Sequence, residues 1–474
     1  MAGFLPTRVN PAAREWRWAL MLGVATVGAF LLRWYYIQTA ETINPIRGDA
    51  RQYVAYALNL ACHGTFSSAS PDSGMPVPDS YRDPGYPLFL AFFIRLQGTG
   101  AEWLHAVLMG QAMLGALTVA LTMQLGRSWL GPRWCLAAGV ALAIWPQTIA
   151  ISGVLLSETL AGFLCIAALL VSQLALARNS MTLAIAAGLG FGMAGLTNAV
   201  LVPFGVLLAL YAGWRRFGTP RVWIALALAA VLLPAAWQVR SATLPATTGA
   251  DSRNSSVYRA MQNLVQGANP SYHVLYEPSL AGDPVAQRLM GEIDEEINLL
   301  HDAPAAGLAR IADRIGQHPL RHLSWYLLEK PWHLWNWGIG IGQDDIHVFP
   351  VVHTPFYETP AMVMLAVVCR LASPPLAATL LASLMVFVVW HFRMKAWPAL
   401  PAGLSSACLL VAYVTVVYGL LQSDPRYSIP FRPYEMLIAA TVWQILFSMK
   451  TKGQGAGRGI VVPMDQADRD DAEQ

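Results

Sequence analysis

The chain has 474 residues, of which 55% are hydrophobic and only 12% charged, and its formal net charge is +3. That charged fraction is about half that of an average soluble domain, and a water-soluble fold of this length has nowhere to bury so much apolar surface. The small positive charge is dispersed and forms no basic stripe, which excludes nucleic acid as a partner.

Apolar runs near the length that crosses about 30 Å of hydrocarbon occur at 16–37, 103–125, 134–150, 159–177, 181–196, 199–211, 222–239, 376–391, 398–421 and 434–447. Each is expected to be helical, because lipid offers backbone groups no hydrogen-bond partner. The first is too long for a signal-peptide core and lacks a small-residue cleavage site, so it reads as a retained anchor. Two further runs are ambiguous: 323–341 is interrupted by Glu329, Lys330 and His333, and 356–369 is short. Trp325, Trp332, Trp335 and Trp337 suit an interfacial helix, where indole rings prefer to sit. The expectation is about ten to twelve spans.

Orientation follows from Lys and Arg in short loops. Arg8, Arg14 and Arg17 precede the first run, and Arg127 with Arg133, Arg178, Arg215 with Arg216 and Arg221, Arg393 with Lys395, and Lys450 with Lys452 occupy alternate loops. The positive-inside rule makes these cytoplasmic. The opposite side then carries 38–102, the turn at Ser157 and Glu158, Thr197 with Asn198, 241–320 and 422–432, where nearly all the unusual polar residues lie. The organisation read from this is a transmembrane module over 1–240 with a catalytic first external loop (38–102), an external cap over 241–322, a second module over 323–450 and a disordered cytoplasmic tail over 451–474. Amphipathic helical pattern marks 284–300 and 304–315 within the cap. Gly188, Gly192 and Gly195 share a helix face and suit close helix packing. The five cysteines show no disulfide framework or zinc spacing.

The first external loop opens on Gly48-Asp49-Ala50-Arg51-Gln52-Tyr53, with the acid just before the helical pattern Tyr53, Tyr56, Ala57, Leu60. Asp49 reads as the cap of that helix or as a general base, and both roles need a fixed, ionised carboxylate. The loop closes on Tyr81-Arg82-Asp83-Pro84-Gly85-Tyr86-Pro87-Leu88, where Arg82 reads as an anion holder at the lipid interface or as a snorkelling arginine. Glu158 is the one acid between two apolar runs, and ionisable groups at that depth are costly unless they function; the alternative is a simple helix start with Ser157. The last external loop, Gln422-Ser423-Asp424-Pro425-Arg426-Tyr427-Ser428-Ile429-Pro430, offers Arg426 and Tyr427 to a phosphate, or is a proline-stiffened interfacial turn. His318, His322, His333, His347 and His353 crowd in sequence, but only His318 and His322 approach ligand spacing, so no metal ligand is assigned. No Walker loop or Rossmann fingerprint is present.

Together these residues resemble the GT-C superfamily of membrane glycosyltransferases that use polyprenyl-phosphate sugars, which includes the lipid A aminoarabinose transferases and the protein O-mannosyltransferases. The resemblance runs in order along the chain. An Asp soon after the first helix with an aromatic four residues on matches Asp49 and Tyr53, and a basic residue before a Pro-x-x-Pro-Leu re-entry matches Arg82, Pro84, Pro87 and Leu88. An acid in the second external loop matches Glu158, and the late Arg-Tyr-x-x-Pro matches Arg426, Tyr427 and Pro430. Many relatives carry an arginine where this chain has Asn198, after Gly195-Leu196-Thr197, so one phosphate contact is missing or comes from elsewhere.

The resemblance implies an all-α polytopic membrane protein of about ten to twelve transmembrane helices with interfacial helices and a small external cap. It implies a polyprenyl-phosphate-linked sugar, of the undecaprenyl type, as donor, and a lipid, glycan or protein of the cell envelope as acceptor, joined by inverting displacement. Asp49 would be the base, Glu158 would orient the acceptor or assist electrostatically, and Arg82, Arg426 and Tyr427 would meet the phosphate, with Arg51, Tyr53 and Asp83 completing the candidate set. No resident cofactor is assigned, and a divalent metal is left open. The setting implied is a bacterial inner membrane, with both termini cytoplasmic and the active site periplasmic. The competing class is a secondary transporter or another polytopic envelope-assembly protein, with the same acids and arginines as coupling sites. Against a transporter stand acids in external loops instead of mid-membrane, and no visible inverted repeat.

Overall fold

The computed structural model describes residues 11–70, 75–244, 255–339, 345–393 and 400–453. The chain opens with α1 (Pro11–Thr39) and a short strand β1 (Glu41–Thr42), then α2 (Asp49–Cys62) and α3 (Gly85–Gln97) in the segment before the next long apolar helix. It continues through α4 (Glu102–Gly126), α5 (Pro132–Ile144), α6 (Pro146–Ala150), α7 (Glu158–Arg178), α8 (Met181–Thr197), α9 (Phe204–Arg215) and α10 (Pro220–Ala242). The cap contains α11 (Ser256–Ala268), α12 (Tyr272–Leu280), α13 (Pro284–Asp302) and α14 (Pro304–Gln317), and is followed by α15 (Pro319–Ser324), a π turn over Trp325–Glu329 and α16 (Lys330–Trp335). Strand β2 (Val351–His353) pairs antiparallel with β1, and α17 (Pro355–Glu358), α18 (Pro360–Arg393), α19 (Ala402–Leu420), α20 (Pro425–Ser428) and α21 (Arg432–Gly453) complete the chain.

Among the described residues, six helices are long and apolar enough to cross a membrane, or seven if the bent pair α5 and α6 counts as one span. The runs at 181–196, 199–211 and 434–447 also form helices, α8, α9 and α21, which are shorter or more charged. The two ambiguous runs resolve differently. Residues 356–369 are not a separate span, because most of them join 376–391 in α18, which runs straight through Pro374 and Pro375. The described part of the other run, 323–339, breaks into the end of α15, the π turn and α16 beneath the cap, and none of these is long enough to cross a membrane. Three of the four tryptophans are not interfacial, since Trp325, Trp335 and Trp337 are buried in protein, and only Trp332 is exposed. Arg8, Lys395 and the acidic part of the tail lie outside the described residues.

The loops rich in arginine gather at one end of the bundle. Arg127 pairs with Glu15, Trp129 Nε1 donates to Thr441 Oγ1 at 2.9 Å, Gly131 N–H donates to Gln444 Oε1 at 2.8 Å, and Gly218 sits against Leu176 and Asn179. Asp49, Glu158 and the cap lie at the other end. In this way the segregation seen in the sequence becomes two chemically distinct faces.

Polar groups inside the bundle repair the places where helices break. Pro146 has no N–H, so the chain bends by 59° between α5 and α6 and the last carbonyls of α5 lose their regular helical donors. Thr148 Oγ1 donates to Leu142 O at 3.0 Å, and the buried Arg33 of α1 donates to Ala143 O at 3.3 Å. Hydrocarbon supplies no such donors, so they must come from the protein. On α21, Arg432 pairs with Glu435 at 2.6 Å and donates to Trp335 O at 3.0 Å and Asn336 O at 2.9 Å. That bond set ties the last helix to the end of α16 and anchors the loop before it. The glycine face of α8 packs as expected at two of its three positions: a Cβ at Gly188 would meet Ala229 Cβ at 2.6 Å, and one at Gly192 would meet Ala230 O at 3.3 Å, both on α10. Gly195 instead abuts Val202 in the turn that follows α8.

The cap has a small core of its own, built from Val265, Tyr272, Ile293, Ile297, Leu300 and Ile311. It seats on the bundle through the Gly267 carbonyl, which accepts from Trp325 Nε1 at 2.9 Å and from Lys330 Nζ at 3.0 Å.

Candidate active site

Three segments remote in sequence meet beneath the cap. Gly48 holds φ at +53°, a left-handed value that glycine adopts at little cost, and this turns the chain so that α2 begins at Asp49. Asp49 does not cap that helix, since Gly48 occupies the cap position and no side-chain cap bond forms. Its carboxylate points instead to two arginines: Oδ1 accepts from Arg82 Nη2 at 2.6 Å and Oδ2 from Arg426 Nη2 at 2.8 Å. Arg426 also donates through Nε to Glu158 Oε1 at 2.5 Å. One guanidinium therefore bridges two acids whose positions in the chain differ by more than a hundred residues.

Each partner is set locally. Asp424 accepts the Arg426 N–H at 2.8 Å as the cap of α20, with Pro425 at the first helical position, and this fixes the direction in which Arg426 leaves the backbone. Glu158 is the first residue of α7, and Ser157 before it makes no side-chain cap bond. Arg82 does not snorkel: besides Asp49 it donates through Nε to Gln52 Oε1 at 2.5 Å and lies 5.1 Å from the centre of the Tyr53 ring. Tyr427 stacks on Tyr418 with ring centres 5.2 Å apart.

The network borders a cavity of about 510 Å³. Asp49, Tyr53, Arg82, Asp83, Glu158, Arg426 and Tyr427 all line it. Arg51 does not; it is exposed on α2, where successive helical residues face about 100° apart, so a neighbour of a site residue need not share its direction. Asp83 lines the cavity but is engaged by Arg259 of the cap at 2.7 Å. Asn198, in place of the expected arginine, donates to the Tyr418 hydroxyl at 3.3 Å and also reaches the cavity. Sequence reasoning missed the cap's contribution, which is one stripe of α11: Arg259, Gln262, Asn263 and Gln266. Their i, i+3, i+4, i+7 spacing was the available signal.

Burial raises the Asp49 carboxyl, but the charges of Arg82 and Arg426 outweigh it and hold the group well below the usual carboxylate range. Burial likewise lowers the two guanidiniums, and the acids beside them more than restore their protonation. Glu158 is the most enclosed member, with a side chain 7% exposed against 32% for Asp49, and among the described residues its Oε2 has no hydrogen-bond partner. Chemically this is a pair of fixed carboxylates beside two fixed cations, open on one side to a cavity large enough for a sugar and a phosphate.

No known family matches the sequence, and no curated protein matches it. Among solved structures, the chain is similar to the apo oligosaccharyltransferase of Archaeoglobus fulgidus, at 13% identity over 94% of this chain and 53% of that one, with a TM-score of 0.49. It is similar to the same organism's oligosaccharyltransferase AglB in complex with an inhibitory peptide and a dolichol-phosphate, at 12% identity and a TM-score of 0.44, over 95% of this chain and 53% of that one. A third likeness is to ArnT from Cupriavidus metallidurans bound to undecaprenyl phosphate, at 15% identity, covering 93% of this chain and 80% of that one, with a TM-score of 0.39. This chain spans about half the length of the archaeal proteins it matches.

Proposed function

We propose that this protein is a membrane glycosyltransferase that moves a sugar from a polyprenyl-phosphate donor to a cell-envelope acceptor by a single inverting displacement. The observation that carries the reading is the convergence of Asp49, Glu158, Arg82 and Arg426 on one cavity. In the reaction the acceptor oxygen bonds to the anomeric carbon as the carbon–oxygen bond to phosphate breaks. The acceptor proton passes to Asp49, and the phosphate leaves with one more negative charge than it had as a diester. Arg82 and Arg426 are placed to stabilise that added charge. Glu158 keeps Arg426 in position and orients the acceptor. The cavity wall also carries Val200, Pro203, Val417 and Leu421, an apolar side that suits the first units of a lipid chain beside the phosphate.

The donor's phosphate competes with Asp49 for the same guanidiniums. As they turn to the phosphate, Asp49 loses the charges that depress its pKa and becomes a better proton acceptor. In the free enzyme the carboxyl is ionised across about pH 5 to 8, so kcat/KM there has no acid limb from Asp49. Arg82→Gln removes one of the two opposing charges, burial then weighs more, the pKa rises, and an acid limb should move up into the measured range. A pH profile unchanged in shape by this variant would show that Arg82 does not set the state of Asp49.

The reading places the cavity at the periplasmic side of a bacterial inner membrane, with the arginine-rich loops and both termini cytoplasmic. Cys62, exposed at the end of α2, tests the side directly, since the other four cysteines are buried. A membrane-impermeant maleimide should label Cys62 in intact spheroplasts and fail to label Cys62→Ser; labelling only after lysis would invert the topology. The activity itself is tested by supplying a radiolabelled polyprenyl-phosphate sugar to the purified protein with an envelope fraction. Label transferred to the acceptor is expected. Donor translocated across a vesicle without transfer would favour a transporter.

A further inference from the structure

We propose that His273, His333 and Asp424 form a divalent-cation site, zinc by its donor set, that clamps the cap to the loop carrying Arg426. The three residues come from separate segments, α12 in the cap, α16 beneath it and the residue capping α20, and one ligand atom from each lies within 4.8 Å of the others. The two imidazoles meet edge to face with ring centres 4.8 Å apart. Among the described residues, His273 Nδ1 and His333 Nε2 are buried and lack a hydrogen-bond partner. Two adjacent half-buried imidazoles, each with a buried and unsatisfied nitrogen, are costly as plain packing, and a metal satisfies both at once.

The local chemistry favours ligation. Neutral imidazole is the form that binds a metal ion, and His273 and His333 come from different segments, so a shared ion would join the two. The nearby Lys330 ammonium is held by the carbonyls of Gly267 and Leu421. Two imidazole nitrogens and one carboxylate oxygen are a common set for zinc, with bonds of about 2.0 to 2.2 Å. Tetrahedral ligands at that length sit roughly 3.4 Å apart, so closure from the observed spacing needs only small side-chain rotations. None of the three residues lines the 510 Å³ cavity. They are positioning residues: Asp424 fixes the start of α20, and a cation binding it to His273 locks the cap over Arg426 and Tyr427.

The test needs no substrate, so it stands apart from the proposed glycosyl transfer. The full chain, purified in detergent and stripped with EDTA, is dialysed against zinc and freed of loosely held metal. One equivalent of zinc per chain is expected by elemental analysis, and His273→Ala/His333→Ala should retain none. His301→Ala/His318→Ala, a control at other histidines of the cap region, should retain a full equivalent. Zinc should also slow tryptic cleavage at the exposed Arg288 of the cap at least several-fold in wild type and leave the double variant unchanged. Asp424→Asn gives a second reading if the double variant elutes aggregated on size exclusion, and it should lose the same equivalent. No zinc retained by wild type, equal retention by the folded variants, or cap cleavage indifferent to zinc would each overturn the clamp.

Discussion

Asp49→Asn is expected to lower turnover by about 10² to 10⁴ while the protein folds and still binds its donor. The carboxamide keeps the size of the side chain and one oxygen for Arg82 or Arg426 but has no basic oxygen to take the acceptor's proton. The surrounding structure keeps its other supports: Arg82 retains Gln52 and the Tyr53 ring, and Arg426 retains Glu158. Folding should survive, as circular dichroism and the melting temperature in detergent would show. Donor affinity should hold or rise, because the loss of one negative charge leaves the arginines freer to meet phosphate. The informative pattern is therefore a collapse of kcat with KM for the donor unchanged or lower. Near-normal turnover would remove Asp49 as the base.

The variant also separates two readings of the same geometry. In a transporter, Asp49 paired with two arginines would be a coupling site, and its neutralisation would change ion dependence without any glycosidic product to measure. In an enzyme, the loss appears in bond formation at saturating donor. The distinction rests on product chemistry and not on the electrostatics, which are the same in both.

Much of this site was legible in the sequence because its residues flank helix ends, where periodicity stops and an isolated charge stands out. Asp49, Arg82, Glu158 and Arg426 each sit within a few residues of an apolar helix, and all four converge. What the sequence could not supply was pairing. Nothing local says that Arg426 reaches Asp49 and Glu158 together, or that Asp83 turns to Arg259 of the cap. Arg51 was grouped with its neighbours by proximity in sequence, and helical geometry points it away. The stripe on α11 was hidden because three of its four members are uncharged amides and the fourth, Arg259, finds its acid, Asp83, far away in the chain, and nothing local marks His273, since the residues beside it in the fold lie sixty and more than one hundred positions away. In the fold, the apolar runs located the helices well, but hydropathy did not distinguish a run that crosses from one buried under protein. That is why 323–341, with its buried tryptophans, read as a possible span or interfacial helix.

Arg426 carries the second large effect, and here stability and catalysis must be separated. Its guanidinium serves Asp49 through Nη2 and Glu158 through Nε, a fork that lysine's single ammonium does not reproduce. Arg426→Lys should therefore cost nearly as much turnover as Arg426→Met, on the order of 10² to 10³ for one lost contact to the developing phosphate charge. Arg426→Met also strands Glu158, whose side chain is 7% exposed, and breaking a buried pair from one side typically costs about 3 to 5 kcal/mol. Pairing it with Glu158→Gln removes the stranded charge, so the double variant should recover most of the lost melting temperature. It should not recover turnover, since the cation proposed to meet the phosphate is still absent. Stability restored together with activity would mean that Arg426 acts only as a counter-ion for Glu158, and the phosphate site would then rest on Arg82 alone.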